Sequence, residues 1–162
     1  MEIKVCESEA QLQELSALAS EIWHEYFPCI ISEAQIDYMV ERFQSYEAFV
    51  KAIKEDGYTY YLLYEDKLVG YLGVKCEEER VFLSKLYLHK NVRGKGYASL
   101  LLNQAITYAK EHDKKAIYLT CNKYNTNSLD IYAKKGFQTI DAVVNDIGNG
   151  FVMDDYILEY KL

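Results

Sequence analysis

Two glycines on either side of a lysine, Gly94 and Gly96, form the strongest chemical signal in the sequence. They lie between a β-rich segment that ends near Leu88 and a helical pattern that begins near Tyr97. A strand that leads through glycines into a helix directs unpaired backbone N–H groups and the positive end of the helix dipole at one point. Because a Cβ atom would keep an anion away from this backbone, the glycines predict a phosphate- or pyrophosphate-binding loop.

Two other phosphate-binding patterns fit this loop less well. The P-loop pattern G-x-x-x-x-G-K-[ST] does not occur in the sequence. The dinucleotide fingerprint G-x-G-x-x-G has Ser99 in place of its third glycine. The next predicted strand ends in Cys121-Asn122, so no acidic side chain follows it to hold a ribose hydroxyl. A nicotinamide-linked oxidoreductase is therefore disfavoured.

A second motif, further along the chain, narrows the class of ligand. The segment Asn125–Phe137 reads NTNSLDIYAKKGF and has every fixed position of N-x-x-[AS]-x-x-x-Y-x-x-x-G-F. The glycine loop lies within LYLHKNVRGKGYASLL, close to the signature [QR]-x-x-G-x-[GA], with Asn91 at the first position. With both motifs in this order, the stretch from Leu86 to Phe137 resembles the GCN5-related N-acetyltransferase (GNAT) superfamily.

The resemblance implies a fold and a cofactor. The fold class is α/β, the GNAT fold: a mixed, mostly antiparallel central sheet with splayed parallel central strands and helices on both faces. In that superfamily acetyl-CoA lies in the gap between the two splayed strands, which here are the strands that end near Leu88 and Cys121. Residues 1–162 are expected to form a single domain of this kind.

The resemblance also implies contacts with the cofactor, residue by residue. Backbone groups along the pantetheine arm would come from Leu86, Tyr87 and Leu88. A backbone N–H in the same stretch would stabilise the thioester oxygen as negative charge develops on it. The pyrophosphate loop would comprise Arg93, Gly94, Lys95, Gly96, Tyr97, Ala98 and Ser99. Asn125 and Ser128 match positions near the amide and thiol end of the cofactor.

One tyrosine receives a chemical task from the resemblance. Tyr132 matches the residue that protonates the departing CoA thiolate. With a phenol pKa of about 10 and a thiol pKa of about 8.5, this proton transfer is nearly balanced in water. Tyr132 is therefore the predicted general acid.

No residue is marked by the sequence as the general base. The strand before the glycine loop offers only Ser84 and Lys85 at its inner positions, where relatives often have Glu. At the end of the first predicted helix, an aromatic cluster could line the acceptor site. Its predicted substrate-binding members are Trp23, His24 and Tyr26.

The last strand supplies another acidic candidate. Asp154 and Asp155 are neighbours, so their side chains point to opposite faces and at most one can face the cleft. Asp154 is predicted to contact the substrate. Together with the net charge of −7, such a carboxylate favours a cationic acceptor such as a polyamine, an aminoglycoside or a peptide N-terminus.

The elements that must position these residues follow from periodicity and capping. Capping boxes at Ser8 and Ser32 predict a helix to about Glu25 and a second helix that continues to Ile53. The other predicted helices begin at the glycine loop and at Asn125. The predicted strands are 2–6, 58–65, 68–76, 80–88, 116–121, 137–144 and 151–161, with a flexible loop at 146–150.

Composition excludes several other classes. The 18 Lys and Arg against 25 Asp and Glu make the chain acidic, whereas non-specific nucleic-acid binding needs the opposite charge. The four cysteines form no C-x-x-C pair, so no metal site is expected. The N-terminus lacks the features of a signal peptide, and no apolar run reaches the roughly 18 residues of a membrane span. A cytoplasmic monomer or homodimer without membrane contact is expected.

The motifs and the composition together predict an N-acetyltransferase. The enzyme would transfer an acetyl group from acetyl-CoA directly to a primary amine of a small molecule or a peptide. The alternative is a non-catalytic CoA-binding sensor or interaction module that keeps the loop without turnover.

Overall fold

Seven strands and five α-helices make up the computed structural model, which describes all residues, Met1–Leu162. The strands are β1 Glu2–Val5, β2 Tyr58–Tyr64, β3 Leu68–Cys76, β4 Arg80–Leu88, β5 Ala116–Asn122, β6 Gln138–Gly148 and β7 Phe151–Lys161. The helices are α1 Glu9–Tyr26, α2 Glu33–Phe43, α3 Tyr46–Lys54, α4 Tyr97–Glu111 and α5 Thr126–Lys134. A 3₁₀ turn at Phe27–Cys29 lies between α1 and α2, and another at Lys90–Val92 lies between β4 and α4.

The strands form one sheet in the order β1-β2-β3-β4-β5-β7-β6. All neighbours are antiparallel except β4 and β5, which are parallel. This pair joins only at Arg80↔Ala116, Val81↔Ile117 and Phe82↔Tyr118, and beyond Phe82 the two strands no longer pair. The predicted α/β sheet with splayed parallel central strands is confirmed.

Helices cover both faces of the sheet. On one face α4 packs its apolar stripe, including Leu101 and Ala105, against the central strands. On the other face α1 and α3 pack against β2 and β3, where Phe49 meets the rings of Tyr60 and Tyr71. The layers hold the opened ends of β4 and β5 between them. No helix is both long and apolar enough to cross a membrane.

The second helix ends earlier than its periodicity predicts. α2 stops at Phe43, and a new helix, α3, begins after Ser45. The Ser45 hydroxyl accepts a hydrogen bond from the Ala48 N–H at 3.2 Å, which satisfies one of the free N–H groups of the new helix. The prediction of one helix to Ile53 is therefore wrong, because a serine at this position favours an N-cap over helix continuation.

The segment 146–150, predicted as a flexible loop, is mostly strand. β6 runs to Gly148, and only Asn149 and Gly150 form the turn to β7. Both turn residues have positive φ, 54° and 80°, as a type I′ turn requires, and Asn-Gly is the usual pair for it. The Tyr38 hydroxyl donates a hydrogen bond to the Ile147 carbonyl at 2.7 Å, which ties this hairpin to α2.

Candidate active site

Two cavities open where β4 and β5 separate. The larger, called here the main cavity, has a volume of about 740 Å³ and lies between the opened strands and α2–α3. The smaller, called here the narrow slot, has a volume of about 100 Å³ and lies between β4, the start of α4, and α5. Four residues line both cavities: Leu86, Tyr87, Ser128 and Tyr132. The two cavities therefore meet beside Tyr132.

The edge of β4 that faces the gap has lost its partner strand. Because β5 no longer pairs with it, the backbone groups of 83–87 on this edge have no partner strand and can bind a ligand that extends the sheet. β4 also has a β-bulge, since Gly73 pairs with Lys85 and Val74 with Leu83, which leaves Ser84 as the extra residue. Leu86, Tyr87 and Leu88 line the narrow slot along this edge.

The glycine loop has the geometry of an anion-binding site. Gly94 and Gly96 have φ values of +79° and +83°, and nothing lies within 4 Å of where a Cβ atom would stand at either position. Gly96 is the N-cap of α4 and offers no side chain, so the first N–H groups of the helix stay open. This structure therefore fits a pyrophosphate.

Side chains of the loop differ in what they contact. Ala98 and Arg93 line the narrow slot. The Arg93 guanidinium donates hydrogen bonds to the Leu88 carbonyl and forms an ion pair with Glu25 at 2.7 Å. Arg93 thus ties the end of α1 to the end of β4, and its direct contact with a phosphate stays a prediction.

Two predicted loop residues, Tyr97 and Ser99, line neither cavity. The Tyr97 hydroxyl donates a hydrogen bond to Glu65 in the β2–β3 turn. The Ser99 hydroxyl accepts one from Lys135, a cation that sequence analysis missed. Lys135 follows α5 and lines the narrow slot, so it brings positive charge close to the N-terminus of α4. Lys95, on the loop, is exposed.

A hydrogen-bonded group joins α1 to the start of α5. The Tyr26 hydroxyl donates to Asn125 Oδ1 at 2.6 Å and lies 3.3 Å from Ser128 Oγ. Asn125 is the N-cap of α5 and accepts from the Ser128 N–H. Tyr26 lines the narrow slot and not the main cavity, so the structure moves it from the predicted acceptor site to the α5 side of the gap.

Tyr132 occupies the junction of the two cavities. α5 directs its half-buried ring toward β5, and Phe137 packs on it edge-to-face at 5.3 Å. Burial raises the pKa of Tyr132 well above its ordinary value, and the nearby Cys121 and Tyr26 side chains act in the same direction. The phenol is therefore protonated at neutral pH, as a proton donor must be.

The structure brings Asp155, and not Asp154, into the main cavity. The Asp154 carboxylate pairs with Lys123 at 2.8 Å and does not line the cavity. This corrects the prediction for Asp154, and the reason is the alternation of side chains along β7. Asp155 lines the cavity, is 5% exposed, and its Oδ1 has no hydrogen-bond partner.

The environment of Asp155 suits a proton acceptor. Burial, and then the neighbouring Asp154 carboxylate, raise the pKa of Asp155 to about 6. Asp155 also lies close enough to Cys121 and Tyr87 to raise the pKa of both. A carboxylate with a pKa near the working pH can take a proton and release it again. Sequence alone could not choose it, since the choice depends on which face of β7 meets the gap.

The aromatic cluster at the end of α1 divides between two environments. Trp23 is buried, stacks on Phe27 at 4.2 Å, and lines the main cavity with it. His24 instead points outward, where it lies 2.7 Å from Asp37 and does not line either cavity. The prediction of His24 as a substrate contact is therefore corrected, because its ring is held by Asp37 of α2 outside both cavities.

The sequence of this chain is similar to a known protein family and to a curated relative. The model of the acetyltransferase (GNAT) family matches residues 16–137. The uncharacterized N-acetyltransferase YjgM of Escherichia coli is 29% identical over 100 residues, which are 59% of this chain and 60% of that protein. The chain thus spans less than two thirds of the length of the curated relative.

Solved structures share the fold over the whole chain. The PaiA N-acetyltransferase of Thermoplasma acidophilum, in complex with coenzyme A, superposes with a TM-score of 0.83 at 24% identity, covering 100% of both chains. A GCN5-related N-acetyltransferase of Rhodopseudomonas palustris has a TM-score of 0.83 at 14% identity, covering 99% of this chain and 95% of its own. With the family model matched across both motifs, the chain belongs to the acetyltransferase (GNAT) family.

Proposed function

We propose that the protein transfers an acetyl group from acetyl-CoA to a primary amine. The observation that carries this proposal is the presence of a half-buried phenol, Tyr132, and a buried carboxylate, Asp155, in the lining of one cavity beside an anion-binding loop. One group supplies a proton to a leaving thiolate, and the other removes a proton from an attacking ammonium. The coenzyme A in the PaiA structure supports the choice of donor.

The residues of the gap divide the work of binding the donor. The N-terminus of α4, with Gly94 and Gly96, would hold the pyrophosphate through backbone N–H groups. The free edge of β4 would pair with the amides of the pantetheine arm, and an N–H group of that edge would stabilise the thioester oxygen. The narrow slot then leads the thioester to Tyr132, where the main cavity begins.

Protons balance in the proposed reaction. Asp155 accepts one proton from the ammonium form of the acceptor, which frees the lone pair of its nitrogen. A bond forms between that nitrogen and the thioester carbonyl carbon, and the carbon–sulfur bond breaks. Tyr132 donates its proton to the departing sulfur, and the second proton of the nitrogen restores the phenol. Asp155 releases its proton to solvent, so the products are an amide, a thiol and one proton.

Direct transfer is favoured over an acetylated cysteine. Cys121 lines the main cavity and is the thiol nearest to this chemistry. Burial, and then the Asp155 carboxylate, raise its pKa to about 12. Because the thiolate is the nucleophilic form of cysteine, Cys121 is inert at neutral pH.

A free-thiol release assay across a panel of amines tests the proposal. Tyr132→Phe is expected to lower kcat by roughly 100-fold or more, the usual contribution of a positioned general acid, with little change in the KM for acetyl-CoA. Tyr124→Phe is the matched control, because Tyr124 is 72% exposed and lines neither cavity. Full turnover in Tyr132→Phe would refute the role of Tyr132. Coenzyme A binding without turnover of any amine would favour the non-catalytic sensor.

A further inference from the structure

A lysine in the main cavity has no task in the reaction described so far. Lys85 lies on β4, next to the bulge residue Ser84, and lines the cavity. Its Nζ lies 3.2 Å from the Tyr60 hydroxyl and 3.4 Å from Ser84 Oγ. Both neighbours are uncharged, so the ammonium group has polar contacts without a counter-charge.

The position of this ammonium group is fixed by three neighbouring strands. In the sheet register Tyr60 pairs with Gly73, and Gly73 pairs with Lys85. Gly73 has no side chain between them, and a Cβ there would lie 2.6 Å from the Tyr60 ring. Lys85 therefore reaches across Gly73 to the hydroxyl of Tyr60, which is 1% exposed. The contact between Lys85 and Tyr60 therefore follows from the register of β2, β3 and β4.

The surroundings of Lys85 are aromatic and contain no carboxylate. Its Nζ lies 5.8 Å, 5.9 Å and 5.6 Å from the ring centres of Phe49, Tyr58 and Tyr60. No carboxylate of the chain lies within salt-bridge distance of it. Burial lowers the pKa of Lys85 to about 8, which still leaves most of the lysine charged at pH 7. A half-buried charge without a counter-charge is unfavourable, and an anionic ligand would relieve this.

The other charges of the main cavity do not supply that partner. The charged residues that line it are Arg42, Lys51, Asp56, Lys85 and Asp155. Lys51 and Asp56 neutralise each other at 3.0 Å. Asp155 is the remaining carboxylate, and the proposed reaction uses it for the amine. The lining therefore has an excess of positive charge, although the chain as a whole carries −7.

We propose that the acceptor carries an anionic group, a carboxylate or a phosphate, in addition to its amine, and that Lys85 and the Tyr60 hydroxyl bind that group. This rests on the proposed function, because the amine must lie between Asp155 and Tyr132. The acceptor is then a zwitterion at neutral pH, of the class of amino acids and phosphorylated amino compounds. Polyamines, which the acidic composition favoured, place positive charge against Lys85 and are disfavoured.

Matched pairs of amines that differ only in the anionic group test this inference. One arm compares phenylalanine with phenethylamine, and a second compares O-phosphoethanolamine with ethanolamine. In each arm kcat/KM is measured by thiol release. The native protein is expected to prefer the anionic member by roughly 10-fold or more in at least one arm, as a charged hydrogen bond predicts. The arm with the larger preference identifies the anion.

Variants at Lys85 separate anion binding from catalysis. Lys85→Met removes the charge and keeps the length, so the preference should vanish while the amine without the anionic group reacts at least as well as before. Lys85→Arg should restore much of the preference. Lys75→Met is the control: Lys75 lies on β3, 5.3 Å from the same Tyr58 ring, but does not line the cavity. It should keep the native preference.

Two results would overturn the inference. One is a native protein that prefers spermidine or the amine without the anionic group. The other is an equal loss for both members of a pair in Lys85→Met, which would give Lys85 a general catalytic or structural role. Calorimetric titration of the coenzyme A complex with the same pairs gives a readout without turnover. Failure of acetylation with a retained, Lys85-dependent preference in binding would refute only the proposed function.

Discussion

The proposed proton donor, Tyr132, and the proposed proton acceptor, Asp155, are both affected by burial in this site. Desolvation disfavours the charged form of each, so it raises the pKa of both. For Tyr132 the result is a phenol that stays protonated over the whole neutral range. For Asp155 it is a carboxylate that changes its charge near pH 6, close to where an enzyme of neutral solution must work. Desolvation thus gives Tyr132 and Asp155 the protonation states that the proposed reaction needs.

The pH dependence of kcat/KM should report the titration of Asp155. The base must be unprotonated to act, so activity should rise with pH through a midpoint of about 6, with Asp154, Lys123, Cys121 and Tyr87 as the neighbouring titratable groups. Asp155→Asn should lower kcat/KM by roughly 100-fold and abolish this limb of the profile. Both proteins are measured with the same amine, so the titration of the amine cancels. A limb that persists unchanged in Asp155→Asn would assign it to another group.

The same carboxylate should lower the stability of the protein at high pH. The pKa of Asp155 in the folded protein is about 6, above the ordinary aspartate value of 3.8. The contribution of this carboxyl group to stability is therefore fully present below pH 3.8 and is lost as the pH rises through about 6. Asp155→Asn should therefore raise the free energy of unfolding by about 2–3 kcal/mol at pH 8 and change it little at pH 4. Urea unfolding at the two pH values measures the difference. Equal effects at both would show that the gain is unrelated to the charge.

At the scale of elements, local signals in the sequence predicted most of the fold. Serine caps, alternating apolar positions and the glycine loop located nearly every helix and strand within a few residues. The division of the second helix at Ser45 was missed because its apolar periodicity continues through the cap. The length of the β6–β7 hairpin was missed because polar residues of an exposed edge strand resemble a loop, as the exposed β6 shows.

The glycine loop allows a test in which backbone strain and function are separated. Gly94 and Gly57 both have φ of +79°, and a Cβ atom at either would contact nothing within 4 Å. Each glycine-to-alanine variant should therefore lose about 1–2 kcal/mol of stability from left-handed backbone strain. Only Gly94→Ala should also raise the KM for acetyl-CoA, by roughly 10-fold, because the loop that holds the pyrophosphate moves. Thermal unfolding and donor-saturation kinetics measure the two effects, and an equal rise in KM for Gly57→Ala would contradict the assignment.

At the scale of the whole molecule, the site depends on contacts that no sequence pattern encodes. The motifs from Leu86 to Phe137 predicted the acetyl-CoA site, since each motif is a continuous stretch of sequence. The acceptor side brings α2, α3, β2 and β7 together, and its charges cannot be read from the net charge of −7. The sequence shows Lys85 only as an inner residue of its strand. Its contact with Tyr60 could not be predicted because it depends on the register of three strands. Asp155 could not be chosen over Asp154 because the sequence does not show which face of β7 meets the gap.

The separation of β4 from β5 also has an evolutionary consequence. The narrow slot and the main cavity share four lining residues: Leu86, Tyr87, Ser128 and Tyr132. Every other lining residue belongs to one cavity alone, so substitutions in α2, α3 or the β6–β7 hairpin can reshape the acceptor side while the donor side stays intact. Proteins with this sheet can therefore evolve to take a different acceptor without an intermediate that no longer binds the acetyl donor.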